Sequence, residues 1–120
     1  MASFMKKIEC IIRAEKLKDL TSALIKIGAG GMTVSEVRGF GVQNQRPDNF
    51  LFVHKNKIEI YAIDSQVKAI ISTILMYCST GNPGDGKIVV LPMDDCIRIS
   101  SGKRKNRAIL LTRGKEKCAD

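Results

Sequence analysis

The feature that most constrains this chain is an abrupt change of apolar period near residue 63. Over residues 57–63 the apolar side chains Ile58, Ile60 and Ala62 alternate with Lys57, Glu59 and Tyr61, the pattern of a strand with one buried face. From Val67 the period becomes helical: Val67, Ile70, Ile71, Ile74, Leu75 and Cys78 recur at three- and four-residue steps, behind the helix-capping types Asp64 and Ser65. The same change occurs earlier in the chain. The Ile-rich segment Met5–Arg13 reads as a strand, after which Leu17, Leu20, Leu24 and Ile27 mark one face of a helix over residues 15–27, with Gly28 placed to end it. Each strand–helix pair leads through a turn to another strand. GAGG at 28–31 precedes a Thr- and Val-rich strand at 32–38, and TGNPGDG at 80–86 precedes KIVVLP at 87–92.

The order βαββαβ predicts an α+β, ferredoxin-like subunit: one antiparallel sheet with both helices on a single face. A short further strand is expected over CIRI at 96–99. Because the arrangement leaves one sheet face without helices, that face must be hidden by association or used for binding, and an oligomer is expected. At 120 residues the chain is one domain, and its 44% hydrophobic and 27% charged composition is that of an ordinary folded protein. The domain is expected over 1–102, with a loop at 41–55 and a basic tail at 103–120.

The formal net charge of +8 first suggests nucleic acid as a partner. Much of it, however, resides in the tail, in Lys103, Arg104, Lys105, Arg107, Arg113, Lys115 and Lys117. No aromatic side chain is interleaved with these for base stacking, so a solvated segment is expected and no nucleic-acid partner. The start, MASFMKK, lacks the apolar core of a secretory signal, and no apolar run approaches a membrane span. The expected location is the cytoplasm, without membrane insertion. Cys10, Cys78, Cys96 and Cys118 form no C-x-x-C pair and have only His54, read as a loop histidine, to join them. That excludes a structural zinc site and predicts that Cys10, Cys78 and Cys96 act as small hydrophobes, with Cys118 the reactive candidate. With no nucleophile–base motif, the chain is expected not to be an enzyme.

Two glycine-rich stretches remain: Gly39-Phe40-Gly41 closing the second strand and Gly84-Asp85-Gly86-Lys87 opening the fourth. Such stretches let backbone N–H groups approach phosphate oxygens, and Lys87 adds a charge at the same place. Taken singly, each reads as a tight turn, and neither has P-loop spacing. Taken in order they are more specific. Met5-Lys6-Lys7-Ile8-Glu9, Ile11-Ile12-Arg13, the run from Gly31-Met32-Thr33 to Gly39-Phe40-Gly41, Lys57-Ile58-Glu59-Ile60, Thr80-Gly81, Gly84-Asp85-Gly86-Lys87-Ile88 and Ile97-Arg98-Ile99 closely resemble the PII family of signal-transduction proteins.

That resemblance implies a homotrimer which binds ATP or ADP in clefts between subunits, often with 2-oxoglutarate. Such a protein reports to a membrane transporter or a metabolic enzyme through a T-loop between the second and third strands. By position, it implies that Thr33, Glu59 and Tyr61 line the adenosine pocket, Gly39, Phe40 and Gly41 pass beside the phosphates, and Gly84, Asp85, Gly86 and Lys87 cradle them. Arg98 is implied to reach the phosphates from the neighbouring subunit. Gln43 matches a glutamine that helps hold magnesium and 2-oxoglutarate, and Lys55 a lysine that pairs with 2-oxoglutarate. No resident cofactor is implied.

The chain also departs from the family pattern. The segment between Gly41 and Lys55 is short and lacks the tyrosine motif that is uridylylated, so covalent control by that route is not expected. Val42 and Ser100 stand where typical members carry arginines. At about 1.5–3 kcal/mol for each charge-assisted hydrogen bond, losing both cations offsets the advantage of a triphosphate. ADP or AMP is therefore expected to bind at least as well as ATP. The altered loop keeps open a carbon-linked variant, sensing adenine nucleotide and bicarbonate in place of nitrogen status. A second alternative is an RNA-binding ferredoxin-like domain.

Overall fold

The computed structural model describes residues 4–39 and 53–110. In chain order the elements are β1 (Met5–Arg13), a 3-10 turn (Ala14–Lys16), α1 (Leu17–Lys26), β2 (Thr33–Gly39), β3 (Val53–Ile63), α2 (Asp64–Cys78), β4 (Lys87–Pro92) and a short α3 (Asn106–Ile109). The strands form one antiparallel sheet in the order β2-β3-β1-β4. This is the expected ferredoxin-like arrangement, in which the two strand–helix–strand halves interleave and β1 and β3 lie side by side at the centre.

The alternation seen in the sequence decides which face is buried. Ile8, Cys10 and Ile12 of β1 and Ile58, Ile60 and Ala62 of β3 point one way, against Leu20 and Leu24 of α1 and Ile70, Ile74 and Cys78 of α2. Register keeps the two central strands in step, with Ile8 opposite Ile60 and Cys10 opposite Ile58. A one-residue slip would expose both sets at once. The other face carries charge across the same pairing: Lys7 Nζ lies 2.7 Å from Glu59 and Lys57 Nζ 2.8 Å from Glu9. Around these ion pairs, Ile11, Tyr61, Val89 and Leu91 leave apolar surface exposed. Neither α1 nor α2 covers this face, as expected from the element order.

Helix ends follow local chemistry. Gly28 adopts φ +86°, and the amides of Gly28 and Ala29 turn back to the carbonyls of Ile25 and Leu24 at 3.1 and 3.0 Å, ending α1 as the sequence indicates. At the start of α2 neither Asp64 nor Ser65 is the cap. Ile63 occupies that position, and its N–H donates to Gln66 Oε1 at 3.1 Å, while Asp64 sits in the first turn, where its charge opposes the helix dipole, and pairs with Lys6 at 2.8 Å.

Three expectations are corrected. CIRI does not form a strand: within it, Ile97 makes an isolated bridge to Arg104. His54 lies in β3, paired with Arg38, because the third strand starts earlier than its alternation indicates. The basic segment does not leave the domain at residue 103. It continues into α3, and Ala108 and Ile109 are 6% and 5% exposed. Two apolar residues embedded among cations outweigh the cations in deciding where that chain goes. Phe50, Leu51 and Phe52 lie outside the described residues, and Val53 begins β3.

Candidate functional site

The structure gathers the expected residues into two groups, one toward each edge of the sheet. The first is built where β2 meets β3, with Thr33 opposite Glu59. Thr33, Glu59, Tyr61 and Arg98 line a single cleft of about 200 Å³. The α1–β2 turn contributes Gly30, Gly31 and Met32 to the cleft, and the C-terminal segment contributes Cys96, Ala108 and Ile109. Tyr61 is 47% exposed, so its ring offers an apolar surface. Glu59 is held by Lys7, whose ammonium keeps that carboxylate below its ordinary pKa; the lysine is raised in return.

Arg98 is placed by backbone. Its N–H donates to the Lys103 carbonyl at 2.8 Å, and its carbonyl accepts from the Gly102 N–H at 2.7 Å. The Lys105 N–H closes the same hairpin on the Cys96 carbonyl at 2.8 Å. Arg104 clips the hairpin with an ion pair to Asp95, whose other oxygen accepts from the Cys96 N–H at 2.8 Å. The guanidinium, ahead of the Cys96 amide, holds the Asp95 carboxyl below its usual range.

The second group forms where the loop at 80–86 enters β4. The Asp85 carboxylate accepts from the Thr80 hydroxyl at 2.6 Å, the Thr80 N–H at 2.7 Å, the Gly81 N–H at 3.0 Å and Arg13 Nη2 at 3.2 Å. These donors, the Thr80 hydroxyl foremost, hold it well below the usual carboxylate range. Arg13 also donates to the Pro83 carbonyl at 3.0 Å. Lys55, opposite Arg13 on β3, donates to the Gly84 carbonyl at 2.5 Å. Burial, and then the nearby Arg13, pushes the Lys55 amine below its usual value. Gly86 has φ +104°, and a methyl group built there would meet the Ile11 carbonyl oxygen at 1.7 Å. Only glycine lets the loop lie this close to β1. Lys87 follows as the exposed first residue of β4, opposite Ile11.

Among the four residues expected to cradle a phosphate, Asp85 has its carboxylate already engaged, by Thr80 and Gly81 of its own loop and by Arg13 of β1. Its work is to shape the turn from which Gly86 and Lys87 are presented. Gly39 ends β2 with open space around it. Phe40, Gly41, Gln43 and Val42 lie outside the described residues. Ser100 is exposed on the turn after Arg98.

Sequence reasoning missed two contributors. Arg13 entered only as the end of a strand and of the Ile11-Ile12-Arg13 match, although a cation there, across from Lys55, was a signal. Ala108 and Ile109 were hidden by the basic run, although the apolar sequence AILL inside it was the mark of a docking segment.

A ferredoxin-like subunit with a cleft toward one sheet edge and a lysine-bearing glycine loop toward the other defines a class of small ligand-binding regulators. The family model described as Nitrogen regulatory protein P-II matches residues 5–103. The chain is 41% identical over 112 residues to the nitrogen regulatory protein P-II of Nostoc punctiforme, covering 88% of this chain and 100% of that protein. It is 42% identical over 114 residues to the P-II homolog of Arabidopsis thaliana, covering 88% of this chain and spanning 58% of that longer protein. Among solved structures, Arabidopsis thaliana PII bound to citrate superimposes with a TM-score of 0.78 at 44% identity, covering 92% of this chain and 94% of the other. The chain belongs to the PII family of nitrogen regulatory proteins, which are signal-transduction regulators and not enzymes.

Proposed function

We propose that this protein is a cytoplasmic PII-type sensor that assembles as a homotrimer and binds ADP, AMP or ATP between subunits. It then controls a membrane transporter or a metabolic enzyme through the loop at 41–55. The observation that carries the reading is the division of the site. Thr33 lies on β2 and Lys87 on β4, edge strands that are separated by roughly 14 Å across three strand spacings. Between them the open face is occupied by the pairs Lys7–Glu59 and Lys57–Glu9. Each edge therefore holds half a site: an apolar cleft with Tyr61 and Glu59 suited to a nucleoside, and a glycine loop with Lys87 suited to phosphate. A neighbouring copy that brings its β4 edge against the cleft completes both. The exposed Ile11, Val89 and Leu91 give that association an apolar contribution.

Arg98, on the cleft side, then faces the phosphates held by the neighbour's glycine loop, and two cations meet the ligand charge from opposite subunits. Arg13 and Lys55 supply a further cationic pair beside the loop. That pair suits a small carboxylate such as 2-oxoglutarate, in keeping with the citrate on the Arabidopsis structure. With Ser100 and Val42 in place of two cations, ADP and AMP bind at least as tightly as ATP.

Isothermal titration with ATP, ADP and AMP, each with and without 2-oxoglutarate or bicarbonate, tests the assignment. Adenine-nucleotide binding that weakens at least tenfold in Lys87→Ala is the expected result. Unchanged affinity in that variant refutes the phosphate assignment, and a clear preference for ATP refutes the nucleotide preference.

A further inference from the structure

We propose that Cys10 and Cys78 form a two-thiolate site for a soft monovalent cation, copper(I), in a cleft between β1, β4 and the end of α2. The inference does not depend on the nucleotide reading above.

The fold brings together two cysteines that are distant in the chain. Cys10 points from β1 toward the helix side of the sheet, and Cys78 is the last residue of α2, which packs on that side. They are 1% and 4% exposed, yet both line a cleft of about 240 Å³, together with Ile74, Ile88, Lys87 and Asp85. Ile88 lies directly opposite Cys10 on β4. The thiols also sense each other: burial pushes Cys10 up to about 12, and the neighbouring Cys78 adds to the rise. As packing, two small apolar side chains would serve equally well. What the sulfurs add is a pair of soft donors facing one recess.

The donor set selects the ion. Among the described residues no cluster of three histidine, cysteine or acidic side chains is placed to hold a metal, so the pair has no third ligand of those types. Two donors cannot close the tetrahedral shell that zinc takes, and calcium and magnesium seek oxygen. Soft thiolates select copper(I), which accepts two-coordination. Binding turns two thiols and one Cu⁺ into a bis-thiolate complex of net charge −1 and releases two protons. Cations offset that charge. Lys87 lines the cleft, and Lys16 counters the rise that burial imposes on the Cys78 thiol. Asp85 opposes the complex, but its carboxylate is already paired with Arg13. The bound ion joins β1 to the end of α2, immediately before Ser79 and Thr80, and Thr80 in turn holds Asp85.

The test is anaerobic titration of the full chain with copper(I) against a chromogenic copper(I) chelator. The Cys118→Ser variant is the background, and Cys10→Ala and Cys78→Ala are each added to it. Far-UV circular dichroism establishes that each variant is folded. The expected result is one copper(I) per chain in Cys118→Ser, bound at least about 100-fold more weakly once either partner is replaced. Because two protons leave, affinity in Cys118→Ser rises about 100-fold per pH unit between about pH 6 and pH 8. That slope decides the matter even if a core variant fails to fold. Copper(I) binding that is lost with Cys118, unchanged without Cys10 or Cys78, or dependent on pH by tenfold or less per unit overturns the proposal.

Discussion

Gly86→Ala is the sharpest test of how the glycine loop is built. The substitution places a methyl group 1.7 Å from the Ile11 carbonyl oxygen in a residue at φ +104°. Two costs follow. A side chain in that backbone region costs about 1–3 kcal/mol before any contact is considered. The overlap is with backbone, so the loop or β1 must also move by more than about 1 Å, which disrupts the pairing of Ile11 with Lys87 and costs roughly 0.5–1.5 kcal/mol per ladder bond lost. The sum is about 3 kcal/mol. With a urea dependence of about 1.5 kcal/mol/M, the unfolding midpoint falls by about 2 M. Because the chain has no tryptophan, the transition is followed by far-UV circular dichroism, at one protein concentration since association contributes to apparent stability. Gly81→Ala provides the comparison. Gly81 has φ +82° but open space where the methyl group would go, so only the conformational cost applies, about 1 kcal/mol. If Gly86→Ala lowers the midpoint no further than Gly81→Ala does, the close approach to β1 is not what requires glycine.

Two further outcomes follow from titrating groups. Asp85 is depressed in the folded state, so it contributes stability that is complete above the unfolded carboxylate pKa near 4 and is lost as pH falls below it. Asp85→Asn should therefore be less stable than the original protein at pH 7, with the gap in melting temperature narrowing steadily as pH falls below about 4; a gap independent of pH rules out the carboxylate as the organiser of the loop. Burial pushes the Cys10 thiol up to about 12, so at pH 8 it should resist alkylation by iodoacetamide in the native protein and react fully in urea, as read by mass spectrometry. Native labelling of Cys10 would show that the core between β1 and α2 opens.

The parts of this fold legible in the sequence are those where one period governs a whole segment. Ile58, Ile60 and Ala62 alternate because β3 has helices on one side only, and the stripe from Val67 to Cys78 repeats because α2 lies flat on that side. The parts that were not legible involve contacts between distant segments. His54 sits in a strand because β2 pairs with it, not because its neighbours alternate. Ala108 and Ile109 are buried because a turn some eighty positions earlier ends in a glycine without a side chain to obstruct them. The candidate site divides in the same way. Gly86 and Lys87 could be placed from local spacing and the family resemblance. The engagement of Asp85 by Thr80 and Arg13 needed the loop and β1 together, and it commits that side chain to loop architecture.

The same contacts decide which half of the site is linked to the segment at 40–52. The cleft lined by Thr33, Glu59 and Tyr61 uses the Thr33 end of β2, whereas that segment begins after Gly39, at the opposite end of the strand, six positions and roughly 20 Å away. Lys55 is much closer, two positions beyond Val53, where the chain re-enters the sheet. Its ammonium holds the Gly84 carbonyl of the glycine loop, and Arg13 beside it holds Pro83 and Asp85. An anion arriving at this loop meets two cations whose hydrogen bonds fix the loop, and one of them stands at the root of β3. Any competition for Lys55 is therefore felt where the chain leaves for the segment at 40–52. The cleft has no such link to the glycine loop: Thr33 and Glu59 form the pair at the far end of the β2–β3 ladder, and Tyr61 lies beyond it. On the proposed nucleotide reading, the base end of the ligand sets affinity, and the charged end carries the message.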